Sequence, residues 1–465
     1  MPQIGAAHSL DTDVTIAAGA LNDIGALSIA RHYGLTYTSD NAHLWIDGSR
    51  TLCAESAYLH SGLLNDSAIL FSELLRSGTI EELTKIGCLP PLEPEDVRPY
   101  PVSFAFSTPF SMSFGEEWCG EMWKSAALLM LKMMLALANR SLVLIRPQSW
   151  YIQFAGSIPF CINPGAIAGL SSELFRDSIV AFTNNFLLPL QLCATGRSHL
   201  MQVHLQHGAP VCAQDYSGLL GVATTVNGYL RDESTSSVLT RLVRYVEMIV
   251  LPDEDSQWSK YYLVDVPLVS SPLWSFKHEA VDKLLDILEP RTVLDLASNT
   301  GWYSRLAALK RAHVIAVDCD EICVNRLYRH RKGCANDRLL PLRFDIVNPS
   351  PKRGVGEAGF PPAVERLRSE LVMALAISHH LTLGDSRLNF EHIAALLAEF
   401  SLRWLIIEFV PLTAEARNPY TAQTRPHYLD SYNVERLVGA LNARFASVDL
   451  AAAPANGRRL ILCEK

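Results

Sequence analysis

Three aspartates each close a short apolar run. Val293-Leu294-Asp295-Leu296 leads into the small-residue turn Ala297-Ser298-Asn299-Thr300-Gly301. His313–Val317 ends in Asp318, and a third run beginning at Leu340 ends in Phe344-Asp345. A carboxylate at the exit of a strand can accept both hydroxyl hydrogens of a ribose, the role expected of Asp318. Asp345 is well placed to accept from an adenine amino group. Small residues in the first turn let the main chain approach a ligand closely. The distance from Asp295 to Asp318 along the chain fits one strand-helix-strand unit. Each aspartate also has an alternative duty, as a turn or helix cap.

Two further apolar runs end in polar groups. Ala374-Leu375-Ala376-Ile377 precedes Ser378-His379-His380, and Trp404-Leu405-Ile406-Ile407 precedes Glu408. A neutral imidazole can orient or deprotonate a hydroxyl or an amine. His379, His380 and Glu408 are therefore the candidate catalytic residues. A structural His pair bonded to nearby backbone and a capping Glu408 remain open as alternatives.

These residues need a scaffold, and from about Lys277 the chain alternates strictly. The pattern predicts helix 278–288, strand 292–296, helix 302–310, strand 313–317, helix 321–330 and strand 340–346. A Pro/Gly-rich loop, 348–362, is followed by strand 371–377, helix 390–400, strand 403–409, helix 433–441 and strands near 447–450 and 459–463. Alternation of this kind means an α/β fold, a mostly parallel sheet covered on both faces. The turn Pro454-Ala455-Asn456-Gly457 makes the last two strands antiparallel to each other.

The run Asp295–Gly301 resembles motif I of class I S-adenosylmethionine-dependent methyltransferases, and Asp318 resembles their acidic second-strand residue. The family pattern is acid-x-Gly-x-Gly/Asn-x-Gly. Ala297 replaces one glycine of it, while Asn299 and Gly301 are kept. The similarity continues through 345–351, 374–381 and 404–411, and there it resembles a bacterial nodulation-protein subfamily in which a methyltransferase domain follows a long N-terminal domain. It covers most of the chain, weakly in the first hundred residues and strongly after Lys277. The resemblance implies a doubly wound seven-stranded sheet with an antiparallel last strand. It implies S-adenosylmethionine as cofactor, held by Asp295, Ala297, Ser298, Asn299, Gly301, Asp318 and Asp345. In the same subfamily an aromatic-rich stretch ending in Lys precedes the first strand, here Trp258, Tyr261, Trp274 and Lys277. It either folds over the cofactor or packs the domain boundary, and boundary packing is the reading adopted.

The expected division is an α+β domain over 1–255 and the methyltransferase domain over 256–465. In the first, strand-like pieces flank Ser39-Asp40-Asn41, and residues 66–86, 116–139, 171–192 and 205–250 read as mainly helical. Prolines at 90, 91, 94, 99 and 101 mark a linker or rigid extended segment. Leu142–Ile145 and Pro159–Ile162, with a turn at Ala155-Gly156-Ser157, read as a β-hairpin. This region resembles the catalytic hairpin of kinase-like phosphotransferases. The family's Asp is Arg146 here, its Asn is Tyr151 and its metal-binding Asp is Asn163. Phosphoryl transfer needs the base and the metal-holding carboxylates, so a kinase-like unit with these residues is inactive. Substrate recognition or a scaffold role is expected of it.

Composition narrows the classes further. The chain has 465 residues, 49% hydrophobic and 19% charged, with a net charge of -8. That is a globular protein of more than one domain. The acidic balance argues against coating nucleic acid, which needs a basic surface. Ten cysteines are scattered without Cys-x-x-Cys spacing, so neither a metal site nor a disulfide framework is expected. Met1–Val14 lacks the basic start and apolar core of a signal peptide, and Ala126–Ala138 is too short to span a bilayer. A soluble, cytoplasmic protein is expected. The methyl acceptor is open among a small molecule, a lipo-oligosaccharide precursor and a protein. A cofactor-binding regulator without turnover is the alternative function. A dinucleotide oxidoreductase is disfavoured by the missing Gly-x-Gly-x-x-Gly.

Overall fold

In the computed structural model, residues 33–38, 42–47, 57–63, 65–95, 102–108, 111–163, 166–206, 210–232, 234–260, 266–334, 338–352, 361–412, 432–453 and 457–465 are described. The Ser39-Asp40-Asn41 turn, the Met1–Val14 segment, Pro99, Pro101, Tyr261, Ala455 and Asn456 lie outside them.

The chain opens with strands β1 (Tyr33–Thr38), β2 (Ala42–Asp47) and β3 (Ala57–Leu63). Helices α1 (Asn65–Arg76) and α2 (Thr79–Lys85) follow, then β4 (Glu93–Glu95) and β5 (Val102–Thr108). The five strands form one antiparallel sheet in the order β1-β2-β3-β5-β4. Of the two readings of the proline-rich stretch, a linker or a rigid extended segment, the second describes β4, an edge strand where Pro94 need not donate to a further neighbour.

Helix α3 (Gly120–Ala138) is buried on nearly every side, as its dense apolar sequence predicts. Strands β6 (Leu142–Leu144), β7 (Ile152–Ala155), β8 (Ile158–Cys161) and β9 (Ile167–Gly169) correct the expected hairpin. The turn at Gly156 joins β7 to β8, while β6 pairs with β9. Gly156 takes φ +61°, which favours glycine. Helices α4 (Ser172–Phe182), α5 (Leu188–Ala194), α6 (Ser198–Gln206), α7 (Leu220–Asp232) and α8 (Thr235–Met248) complete this part, with a π-helical turn at Thr183–Leu187.

From Phe276 the order is α9 (Phe276–Leu288), β10 (Thr292–Leu296), α10 (Trp302–Leu309), β11 (His313–Asp318), α11 (Glu321–Arg331) and β12 (Leu339–Arg343). Then come α12 (Ala363–Arg366), β13 (Ser369–Ala374), α13 (Ser378–Leu383), α14 (Phe390–Phe400) and β14 (Ser401–Phe409). The chain closes with α15 (Val434–Asn442), β15 (Ser447–Ala452) and β16 (Arg459–Glu464). The seven strands lie in the order β12-β11-β10-β13-β14-β16-β15. The first five are parallel, and the last strand, β16, runs antiparallel to β14 and β15. This is the class I methyltransferase fold that the sequence implies. The strand order reverses between β10 and β13, the switch point beside which ligands bind in open α/β sheets.

Side chains alternate across the sheet with period two. Val293, Val314, Leu371 and Ile406 face α9 and α10. Leu294, Ile315, Leu340 and Leu405 share a core with Trp118, Trp123 and Phe154 from the preceding half. One layer of apolar side chains therefore runs through both halves. Polar contacts fix the docking. Cys119, at the N-cap of α3, offers no side-chain cap. Glu321 Oε1 instead accepts from Gly120 N at 3.2 Å and Asn325 Oδ1 from Glu121 N at 2.9 Å, satisfying N–H groups that a helix start leaves without partners. A Cβ at Gly120 would stand 2.9 Å from a Leu251 methyl, so a larger residue here requires that side chain to shift. Among the described residues, no helix is long and apolar enough to cross a membrane.

Candidate functional site

A cavity of about 270 Å³ opens at the carboxyl ends of β10, β11, β12 and β13. Asp295, Ala297, Ser298, Asn299, Asp318 and Asp345 all line it, as does His380. Gly301, His379 and Glu408 do not.

The turn after β10 is built on left-handed backbone. Ala297, Asn299 and Gly301 take φ of +55°, +54° and +75°, the three positions where the motif carries glycine or asparagine. Asparagine tolerates this region and alanine occupies it at a cost. Gly301 starts α10, and a Cβ on it would lie 2.6 Å from Leu327. Its place is in helix packing behind the cavity wall. The Ser298 hydroxyl is buried and has no hydrogen-bond partner.

Asp318 is held at both oxygens. Oδ2 accepts from Asn299 N at 2.7 Å and Oδ1 from Asp320 N at 2.8 Å. Burial raises its pKa against these bonds. Asp295 accepts from the Ser304 hydroxyl, and burial pushes its pKa up to about 7. Asp345 is exposed, and its Oδ1 accepts from Val347 N at 2.9 Å. That side-chain turn ends β12 at Arg343, short of the expected 346, and turns Phe344, Ile346 and Val347 onto the cavity. Strand β13 likewise ends at Ala374 rather than 377, because Ala376 adopts φ +54°.

The two histidine rings are in contact, tilted by 40° with centroids 3.9 Å apart. His380 meets the edge of Trp258 at 4.8 Å. Burial lowers the pKa of both rings, to about 3 for His379, where His380 and the cations Arg458 and Lys277 add to the effect. Both are neutral at pH 7. Glu408 is 2% exposed and lies between two cations, Lys277 Nζ at 2.7 Å from Oε2 and Arg458 Nη1 at 2.8 Å from Oε1. Burial would raise its pKa, but the two cations outweigh that and hold it below the ordinary value.

The aromatic stretch before β10 divides its duties. Trp258 and Lys277 line the cavity, and the Trp258 carbonyl accepts from Asn299 Nδ2 at 2.8 Å. Trp274 instead packs on Trp302 at 5.6 Å, and the indoles of these two bond Pro267 O and Val266 O. Boundary packing thus describes Trp274 and not the other two. Tyr303, Cys319 and Ser386 also line the cavity, and sequence reasoning passed them over. Cys319 directly follows Asp318 and Tyr303 lies two residues past Gly301, the one signal that could have found them. Cys319 and Cys323 belong to no metal cluster among the described residues.

No family model matches the chain. It is similar to nodulation protein NoeA of Rhizobium meliloti (strain 1021), 24% identical over 391 residues, 76% of this chain and 80% of that protein. Among solved structures it is similar to a putative O-methyltransferase of Nostoc punctiforme PCC 73102, at 16% identity over 40% of this chain and 56% of that one, TM-score 0.28. It is also similar to magnesium protoporphyrin IX methyltransferase of Synechocystis PCC 6803 with bound SAH, at 14% identity over 43% and 91%, TM-score 0.28.

Proposed function

We propose that residues 256–465 bind S-adenosylmethionine and transfer its methyl group to an acceptor, while residues 1–255 form a recognition or scaffold unit. The observation that carries this reading is the convergence of Asp295, Asp318 and Asp345, from the ends of three adjacent parallel strands, on one cavity.

The residues present fit the cofactor. Asp318 has both oxygens anchored by main-chain N–H groups and keeps lone pairs for the two ribose hydroxyls. Asp345 stands at the rim for the adenine amino group, between the apolar Phe344 and Ile346. Ser298 brings a buried hydroxyl without a partner, and the left-handed turn brings backbone close to the ligand. S-adenosylmethionine supplies an electrophilic methyl on a sulfonium, so the protein's main task is alignment, worth on the order of 7–11 kcal/mol in favourable cases.

Of the three catalytic candidates, His380 is the one on the cavity wall, a neutral ring able to orient or accept a proton from a hydroxyl or amine. His379 backs it, with a pKa too low to serve as a base near pH 7. Glu408 is engaged by Lys277 and Arg458 and acts through them.

The likeness to a nodulation protein supports a role in nodulation signalling. The acceptor would then be a lipo-oligosaccharide precursor, another small molecule or a protein side chain. The nested pairs β6–β9 and β7–β8 around residues 145–151 support a kinase-like origin for that segment. The Arg146 and Asn163 replacements favour a unit that no longer transfers phosphate.

Calorimetric titration with S-adenosylmethionine and S-adenosylhomocysteine tests the reading. One site binding both ligands is expected. Absence of binding to either would leave the fold without the activity.

A further inference from the structure

The charges around the cavity are unequal in kind. Among the described residues lining it are three carboxylates and one Lys or Arg side chain, Lys277. Bound S-adenosylmethionine carries a sulfonium, an ammonium and a carboxylate. The carboxylates of the wall suit the cationic and donor groups of that ligand. Its own carboxylate needs a cation, and Lys277 is the one at hand.

Lys277 is the second residue of α9, with Nζ 5.0 Å from the centre of the Tyr303 ring. Its position therefore lies beside the start of α10, the side of the cavity where Asp295 stands. Its present partner is Glu408 at 2.7 Å, and Glu408 keeps a second cation, Arg458, at 2.8 Å on its other oxygen. A buried carboxylate stripped of its only partner is costly. Here Lys277 can turn to a ligand while Arg458 keeps Glu408 paired.

We propose that Lys277 binds the carboxylate of the cofactor's amino-acid moiety, Arg458 keeping Glu408 paired when it does so. This rests on the S-adenosylmethionine reading. It makes Lys277 the residue that distinguishes a complete cofactor from one lacking its carboxylate.

The test compares S-adenosylmethionine with decarboxylated S-adenosylmethionine, which lacks that single group, on wild type, Lys277→Met and Lys277→Arg. Loss of a charge-assisted hydrogen bond corresponds to about 10- to 150-fold in affinity. Wild type should prefer the complete cofactor by about that factor. Lys277→Met should lose the preference by weakening only S-adenosylmethionine, and Lys277→Arg should keep most of it. Equal affinity of wild type for both ligands overturns the proposal without any variant. So does a Lys277→Met protein that keeps the preference or weakens both ligands alike. Those results leave the cofactor reading standing, whereas wild type that binds neither ligand removes both.

Discussion

The main-chain N–H of Asn299 donates to Asp318 Oδ2 at 2.7 Å, tying the turn after β10 to the end of β11. Because Asn299 Nδ2 also donates to the Trp258 carbonyl at 2.8 Å, one residue links three walls of the cavity. The left-handed backbone at Asn299 makes this possible, by aiming its N–H and side chain at different neighbours.

The same turn predicts opposite outcomes at two positions. Gly301→Ala would place a Cβ 2.6 Å from Leu327 at φ +75°. Left-handed strain and overpacking together should cost about 2–4 kcal/mol. Ala297 is exposed at φ +55°, so Ala297→Gly relieves strain while loosening the unfolded chain. A change within about 0.5 kcal/mol is expected. Urea denaturation of both variants checks the contrast.

Much of this architecture was legible in the sequence. Strand 292–296 and helix 390–400 have the expected bounds, because apolar periodicity is unbroken to their ends. The expectation failed where a side chain or a single dihedral overrode periodicity, at Asp345 and Ala376. It failed again where pairing is non-local: β6 meets β9 across the whole β7–β8 hairpin, and no periodicity encodes that partner. The three aspartates were readable because each ends its own strand. Trp258 and Lys277 reach the cavity only through tertiary folding of the segment before β10. The contact of Glu408 with Arg458 crosses 50 positions.

Asp295 predicts a proton signature. With a pKa near 7 in the fold against an ordinary 3.8, the folded protein holds a proton that the unfolded chain has released. Its contribution to stability therefore falls as pH rises from about 4 to 7. A cationic ligand beside Asp295 favours the carboxylate, as Lys277 already does and Asp318 opposes. Cofactor binding near pH 7 should release protons and tighten as pH rises. Calorimetry in buffers of different ionisation enthalpy reads the release, and Asp295→Asn should remove most of it. Release unchanged in that variant would assign the proton elsewhere.

The junction between the halves should be fragile to a single change. Arg366 and Glu117 form a buried ion pair, with side chains 4% and 1% exposed, and Ser350 Oγ donates to the same Glu117 oxygen at 2.9 Å. Arg366→Met strands Glu117 in the interior and should cost about 3–5 kcal/mol. Chemical denaturation measures it. A loss below about 1 kcal/mol would mean that the pair contributes nothing net to docking.

Magnesium-dependent ATP hydrolysis or phosphotransfer should be absent from the purified protein, because the proposed kinase-like origin puts Arg146 and Asn163 where that chemistry needs acids. Metal-dependent turnover would contradict the recognition or scaffold role proposed for residues 1–255.

The central claim is that Asp318 holds the cofactor's ribose. Titration of S-adenosylhomocysteine into wild type and Asp318→Ala tests it most directly. The account predicts binding by wild type and a loss of about 1.5–3 kcal/mol in the variant, the range for charge-assisted hydrogen bonds. Equal affinity in the two proteins would contradict it.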